Sequence, residues 1–251
     1  IEANTLALNS GTIRDAAGNN ATITYSSVSA NTSYKVDTTA PSVDNFTLSD
    51  TALKAGDNAT VTLRFSEAVA SFASGDDITV ASGSGSLANM SSADNVTWTG
   101  TFTPTTNTED ASNTLSLATS YTDTAGNAGP VATTENYAVE TLAPTVNSVA
   151  ISSASGVQNS LLNAGDNVSV TATFSESVIV DNASGTPTLT LVVGSDNRTS
   201  TYTSGSGSTP LVFQYTIQAG ETDSDGISIG ANTIALNSGT IRDAAGNNAT
   251  I

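Results

Sequence analysis

Carboxylates are the groups in this chain that could do chemistry. It holds 23 Asp and Glu against 6 Lys and Arg, with no His and no Cys. The acids recur at fixed landmarks. Asp37 and Glu140 each precede Thr-x-Ala-Pro, Glu67 and Glu176 each close a Phe-Ser-Glu, and Asp57 and Asp166 each sit in Ala-Gly-Asp-Asn. Asp15, Asp123 and Asp243 each open an Asp-x-Ala-Gly-Asn turn. Several carboxylates brought within a few ångströms repel one another unless protons or cations neutralise them. Without His or Cys, nothing here suits zinc or copper. Oxygen donors on loops suit Ca2+, which takes roughly six to eight oxygens in loose geometry. The glycine turns would add backbone carbonyls as further ligands. Enzymatic readings fare worse. The usual nucleophile–base pairs need His or Cys. Glycosidase chemistry by paired carboxylates wants a concave, aromatic-rich site, and aromatics are 5% of the chain. The sequence therefore reads as non-enzymatic. Against the metal reading stands a plainer one: most surface acids are only solvated, and Asp-Gly-Asn clusters are ordinary turn formers.

The elements that must position these acids are strands. Helical periodicity is nearly absent, and alternation with period 2 is common. Asn95-Val-Thr-Trp-Thr-Gly-Thr-Phe-Thr103 sets Val96, Trp98, Gly100 and Phe102 on one face against threonines on the other. Val61, Leu63 and Phe65 do the same against Thr60, Thr62 and Arg64. Strands are expected near 43–49, 58–66, 77–81, 85–90, 95–103, 113–121 and 131–139, with turns at 54–57, 91–94, 105–111 and 123–130. Seven strands in about 100 residues read as an antiparallel immunoglobulin-like sandwich. A second set is expected at 146–153, 167–175, 187–193, 198–203, 210–218 and 231–238. The fold class is thus all-β, as tandem sandwiches arranged end to end.

Alternate loops of a sandwich share an end. That gathers Asp37, Glu67, Asp77 and Asp123 at the head of one domain, and Glu140, Glu176, Asp181 and Asp243 at the head of the next. The tail ends carry Asp57 with Glu109 and Asp110, or Asp166 with Glu221, Asp223 and Asp225. Where a tail meets the next head, acids from both sides face each other. A cation at that joint would tie two domains into one coordination shell.

Repetition sets the larger plan. Residues 1–23 return as 229–251, a period of 228, with changes only at Glu2/Gly230 and Leu6/Ile234. Inside it a shorter echo keeps the landmarks in order: Asp37 and Glu140 are 103 apart, Glu67 and Glu176 are 109 apart, Asp123 and Asp243 are 120 apart. Two diverged versions of one domain alternate, as in tandem arrays. Residues 1–40 are expected to be the last strands of a long version, 41–143 a short version, and 144–251 a long version lacking its last strand. Asp15 is then the counterpart of Asp243. The chain is expected to be a window on a longer array.

Composition excludes some partners. A net charge of −17 disfavours nucleic acid and anionic membranes, and no run is long and apolar enough to cross a bilayer. A Cys-free extracellular domain needs another staple, and metal is one.

Val36-Asp-Thr-Thr-Ala-Pro41, Ala-Gly-Asp-Asn ahead of a strand, Phe-Ser-Glu, Ile217-Gln-Ala-Gly-Glu-Thr-Asp223 and Asp243-Ala-Ala-Gly-Asn247 together resemble the bacterial Ig-like repeats of giant type I-secreted, RTX-type adhesins. The resemblance implies a secreted, cell-surface extender rod that supports adhesion and biofilm formation. Its partners would be neighbouring repeats of the same polypeptide. It implies Ca2+ at the linkers, held by Asp37, Glu67 and Asp123 and again by Glu140, Glu176 and Asp243. Glu140 departs from the usual Asp. Two other readings stay open: a glycan- or protein-binding module, and a filament subunit in which residues 19–36 complete another molecule's sandwich.

Overall fold

The computed structural model describes residues 2–251. They fall into two units, Ile1–Thr39 and Ala40–Ile251. The larger unit is built from strands, with one helical turn, Ser74–Asp77, and it holds two separate hydrophobic cores.

The first core lies under a four-stranded sheet in the order Val43–Leu48, Ala59–Phe65, Thr97–Pro104, Gly85–Leu87. Alternation drives it: Val61, Leu63 and Phe65 are buried while Arg64 is exposed. Facing strands include Leu115–Leu117 between Ala132–Thr133 and Ile78–Val80. Aromatic rings knit the interior, Phe65 against Tyr121 at 4.9 Å and Phe102 against Tyr137 at 5.1 Å. The closing strand, Tyr137–Glu140, lies between two others. It pairs antiparallel with Glu109–Asn113 and parallel with Ala52–Lys54. It buries Tyr137 and Val139 completely, at 0% and 1% exposure.

The second core is wrapped by strands in the order Val146–Ser155, Asn167–Asp181, Ser208–Thr216, Asp196–Ser204, Thr188–Val193, Ile234–Ala235. Asn167–Asp181 serves twice. Its first half pairs with Ser208–Thr216, and after a register break its end pairs with Thr240–Arg242. The fold is an all-β sandwich.

Several sequence expectations need correction. Residues 105–111 read as a turn from their Asn, Glu and Asp content, yet Glu109–Asn113 is a strand because the closing strand offers it a partner. The strand expected at 113–121 is broken into Leu115–Leu117 and Thr122–Asp123. That expected at 131–139 is broken into Ala132–Thr133 and Tyr137–Glu140. Pairing with Thr240–Arg242 carries the strand expected at 167–175 on to Asp181. Residues 2–39 contain no strand beyond one bridge, Arg14 to Asn20, although strands were expected there. Their apolar side chains have no sheet to join: Leu6 and Ile13 are 51% and 50% exposed.

Candidate metal centre

Each Asp-x-Ala-Gly-Asn turn is locked by its own first residue. In the first sandwich, Asp123 Oδ1 accepts the N–H groups of Ala125 and Asn127 at 2.8 and 2.9 Å. Its Oδ2 accepts Asn127 Nδ2 at 2.8 Å. Asp243 repeats the pattern, with Asn247 N at 2.8 Å and Asn247 Nδ2 at 2.7 Å. Asp15 does so with Asn19 N at 2.9 Å and Nδ2 at 2.8 Å. Glycine is needed at the fourth position, since Gly18, Gly126 and Gly246 all have φ near +90° (89°, 95° and 98°), where a Cβ is strained. The Asn hydrogen bonds hold the carboxyls of Asp123 and Asp15 below the usual range, because they favour the charged form.

The turn at Asp243 also fastens the two sandwiches. Asn247 Nδ2 donates to the backbone carbonyl of Glu140 at 2.8 Å, and Asn247 Oδ1 accepts Ala55 N at 2.8 Å. Asn247 is 4% exposed, so these bonds are made largely out of water. At this joint Glu140 and Glu176 feel the charges of Glu109 and Asp243. Glu140 and Glu109 stand opposite each other on adjacent strands, where like charges are unfavourable. Burial, with Glu109 and Asp243 nearby, pushes the Glu140 carboxyl up. Burial and then the charges of Asp243, Glu140 and Glu109 push Glu176 up as well. Lys54, set beside Glu140 by the parallel register, turns its ammonium to Asp57 at 3.4 Å. An oxygen-only donor set, with Glu109, Glu140 and Glu176 on strands and Asp243 on a turn, is the chemistry a hard cation such as Ca2+ takes.

The remaining candidates have varied placements. Asp37 lies in the smaller unit and accepts Thr39 N at 3.1 Å. Glu67 is half-buried and Asp123 is 1% exposed; both belong to the larger unit. Asp77 is 2% exposed, and its carboxylate takes Ala73 N at 2.7 Å and the Ser120 hydroxyl. It is consumed inside the fold as the anchor of the helical turn. Asp181 does not join Glu176 and Asp243, because it pairs opposite Thr240 while the strand runs on from the joint; its Oδ1 caps Ala183 N at 3.0 Å. Asp57 and Asp166 each close a local turn, accepting Lys54 N and Asn163 N at 3.2 and 2.6 Å, and Asp110, inside the strand Glu109–Asn113, accepts Ser112 N at 3.1 Å.

Sequence reasoning did not single out Asn127 and Asn247, though their fixed place in the repeated turn was the available signal. It placed Glu109 at the tail end without counting it among ligands. It also missed the cluster in which Glu221 bonds Arg198 and Tyr215, the last at 2.5 Å; burial and that bond push the Tyr215 hydroxyl up to about 12.

No curated protein and no solved structure matches the chain. Residues 37–139, which hold the first core, match the family model of a bacterial Ig-like domain.

Proposed function

We propose that the chain is an extender segment of a bacterial cell-surface adhesin, a rod of Ig-like domains stiffened by Ca2+ at the joints. The observation that carries this is the joint itself. Burial, and then the charges of Glu109 and Asp243, push the carboxyls of Glu140 and Glu176 up at a place where Asn247 already bonds both sandwiches. A divalent cation there relieves repulsion and adds a second tie across the same seam. Bacterial Ig-like modules typically occur on surface proteins, which fits an extracellular site. No helix among the described residues is long and apolar enough to cross a membrane. Repetition delivers length directly, and strands of about eight residues at ~3.3 Å plus loops would add roughly 40 Å per sandwich.

Small-angle scattering in Ca2+ and in EGTA tests the reading. The expected result is a maximum dimension that is longer and more sharply defined in Ca2+. Identical scattering curves, with no heat of Ca2+ binding by calorimetry, would sink it.

A further inference from the structure

The chain holds one Trp and one Met, and both line the same pocket on the first sandwich, about 320 Å³ in volume. Its floor is apolar: Phe72 and Met90 are buried there and Trp98 is half-buried. Its rim is polar and exposed, with Asp76 and Asn89 on either side of Gly75.

A sandwich core does not require these residues. The shared Ala-Gly-Asp-Asn landmark equates Ala59 with Val168. Strand pairing then equates Trp98 with Leu211 and Gly100 with Phe213. Leu211 and Phe213 are fully buried in the second sandwich, whereas the larger Trp98 stays half-buried at the pocket. Gly100 makes room for Met90, since a Cβ on it would lie 2.8 Å from Met90 Cγ.

The pocket is also held in shape. Ser74 Oγ accepts Met90 N at 2.9 Å, which ties the helical turn to the floor. Asp77 anchors that turn through Ala73 N at 2.7 Å. Phe72 meets the Trp98 ring edge-on, with centroids 4.8 Å apart. One polar atom is left over. Trp98 Nε1 is buried and has no hydrogen-bond partner among the described residues, although a buried indole N–H usually finds one.

We propose that this pocket binds a neutral sugar ring, as one unit of a glycan. The apolar floor suits the C–H face of a pyranose. The Asp76 carboxylate accepts from two neighbouring hydroxyls, and the Asn89 amide both donates and accepts. A ring hydroxyl entering beside Trp98 offers its Nε1 an acceptor. A few convergent polar groups around an apolar floor is the usual build of a small-molecule site. No Lys or Arg lines the pocket, and a chain of net charge −17 repels acidic sugars and phosphates. Neutral sugars are what remains. The site uses none of the joint's carboxylates, so it stands apart from the calcium reading.

Trp98 is the chain's single tryptophan, so its emission reports on this pocket alone. The full chain is titrated in Ca2+ and in EGTA with the methyl glycosides of glucose, galactose, mannose and N-acetylglucosamine, and with maltose and cellobiose. At least one sugar is expected to shift the emission saturably, with a dissociation constant on the order of 1 mM that is equal in both buffers. Gly75 is exposed, and a Cβ on it would lie 3.8 Å from Asn89 Oδ1. Gly75→Leu therefore fills the pocket from its rim. It should weaken that sugar about tenfold or more and leave the far-UV spectrum unchanged. Trp98→Leu, which installs the second sandwich's residue, should remove the sugar's saturation-transfer NMR signals while the chain stays folded. No saturable response to any of these sugars, or a response that Gly75→Leu leaves intact, would overturn the proposal. So would a response to tetramethylammonium in place of sugar. Sugar binding that is the same in EGTA, beside scattering that Ca2+ leaves unchanged, would sink the calcium reading and leave this one standing.

Discussion

Asp123 and Glu176 are both acids near the head of a sandwich, and they contribute to stability with opposite sign. Asp123 meets three N–H donors inside its own turn, which holds its carboxyl below the ordinary 3.8. Its contribution is fully present above that value and is lost as pH falls through the lower, folded-state one. Replacing it with Ala leaves these three donors without their acceptor, so Asp123→Ala should show a lower urea midpoint than the parent at pH 7. Glu176 is the reverse case. Burial and the neighbouring Asp243, Glu140 and Glu109 raise its carboxyl above the ordinary 4.5. The folded state then binds more protons than the unfolded one, so stability falls as pH rises from that value. Glu176→Gln removes the penalty. In EGTA at pH 7 it should melt at a higher temperature than the parent, and the rise in melting temperature on adding Ca2+ should shrink. A variant that melts lower in EGTA and keeps the full Ca2+ response would show that Glu176 is held by something other than like charge.

At the scale of elements, the closing strand separates what alternation reveals from what it hides. Tyr137 is fully buried, stacks edge-on with Phe102 and bonds Ser84 Oγ at 2.8 Å. Tyr137→Ala should cost about 3–5 kcal/mol, the range of large aromatic truncations. Tyr34→Ala, at the equivalent place in the repeat, should change the stability of the monomeric chain by less than about 0.5 kcal/mol; parallel urea titrations of the two variants make the comparison. The strands around Val61–Phe102 were legible because every second residue is apolar and the sheet face decides burial. Glu109–Asn113 was not, because Glu-Asp-Ala-Ser-Asn carries turn chemistry and becomes a strand only when Tyr137–Glu140 pairs beside it. The same limit applies to the site. Repeated landmarks single out Glu140, Glu176 and Asp243 as candidates, whereas the opposition of Glu109 to Glu140 depends on a register no local pattern encodes. Asp77 and Asp181 looked equivalent to the others by loop position, and only side-chain and strand partners remove them.

For the whole molecule, the 228-residue period supplies an internal control on what sequence can dictate. Residues 12–15 and 240–243 are the same Thr-Ile-Arg-Asp. Both keep the local hairpin: Ala21 N bonds Ile13 O at 2.8 Å, and Ala249 N bonds Ile241 O at 2.9 Å. The turn is therefore intrinsic to the segment. The sheet is not, because Thr240–Arg242 pairs with residues 179–181 and buries Ile241 to 1% exposure, while Ile13 stays 50% exposed. Local chemistry fixes the Asp-x-Ala-Gly-Asn turn, and the surrounding sandwich fixes everything built on it. Hydrogen exchange should report the difference. Peptides covering 2–15 and 230–243 are distinguishable by mass through Glu2 and Gly230. At a concentration where the chain is monomeric, the first should exchange almost at once. In the second, the segment 240–242 should open only with its sandwich, since paired core strands exchange near the global unfolding free energy and unpaired segments near zero. Equal exchange in the two peptides would mean that pairing with residues 179–181 adds nothing to the hairpin, and that the repeat carries its stability within itself.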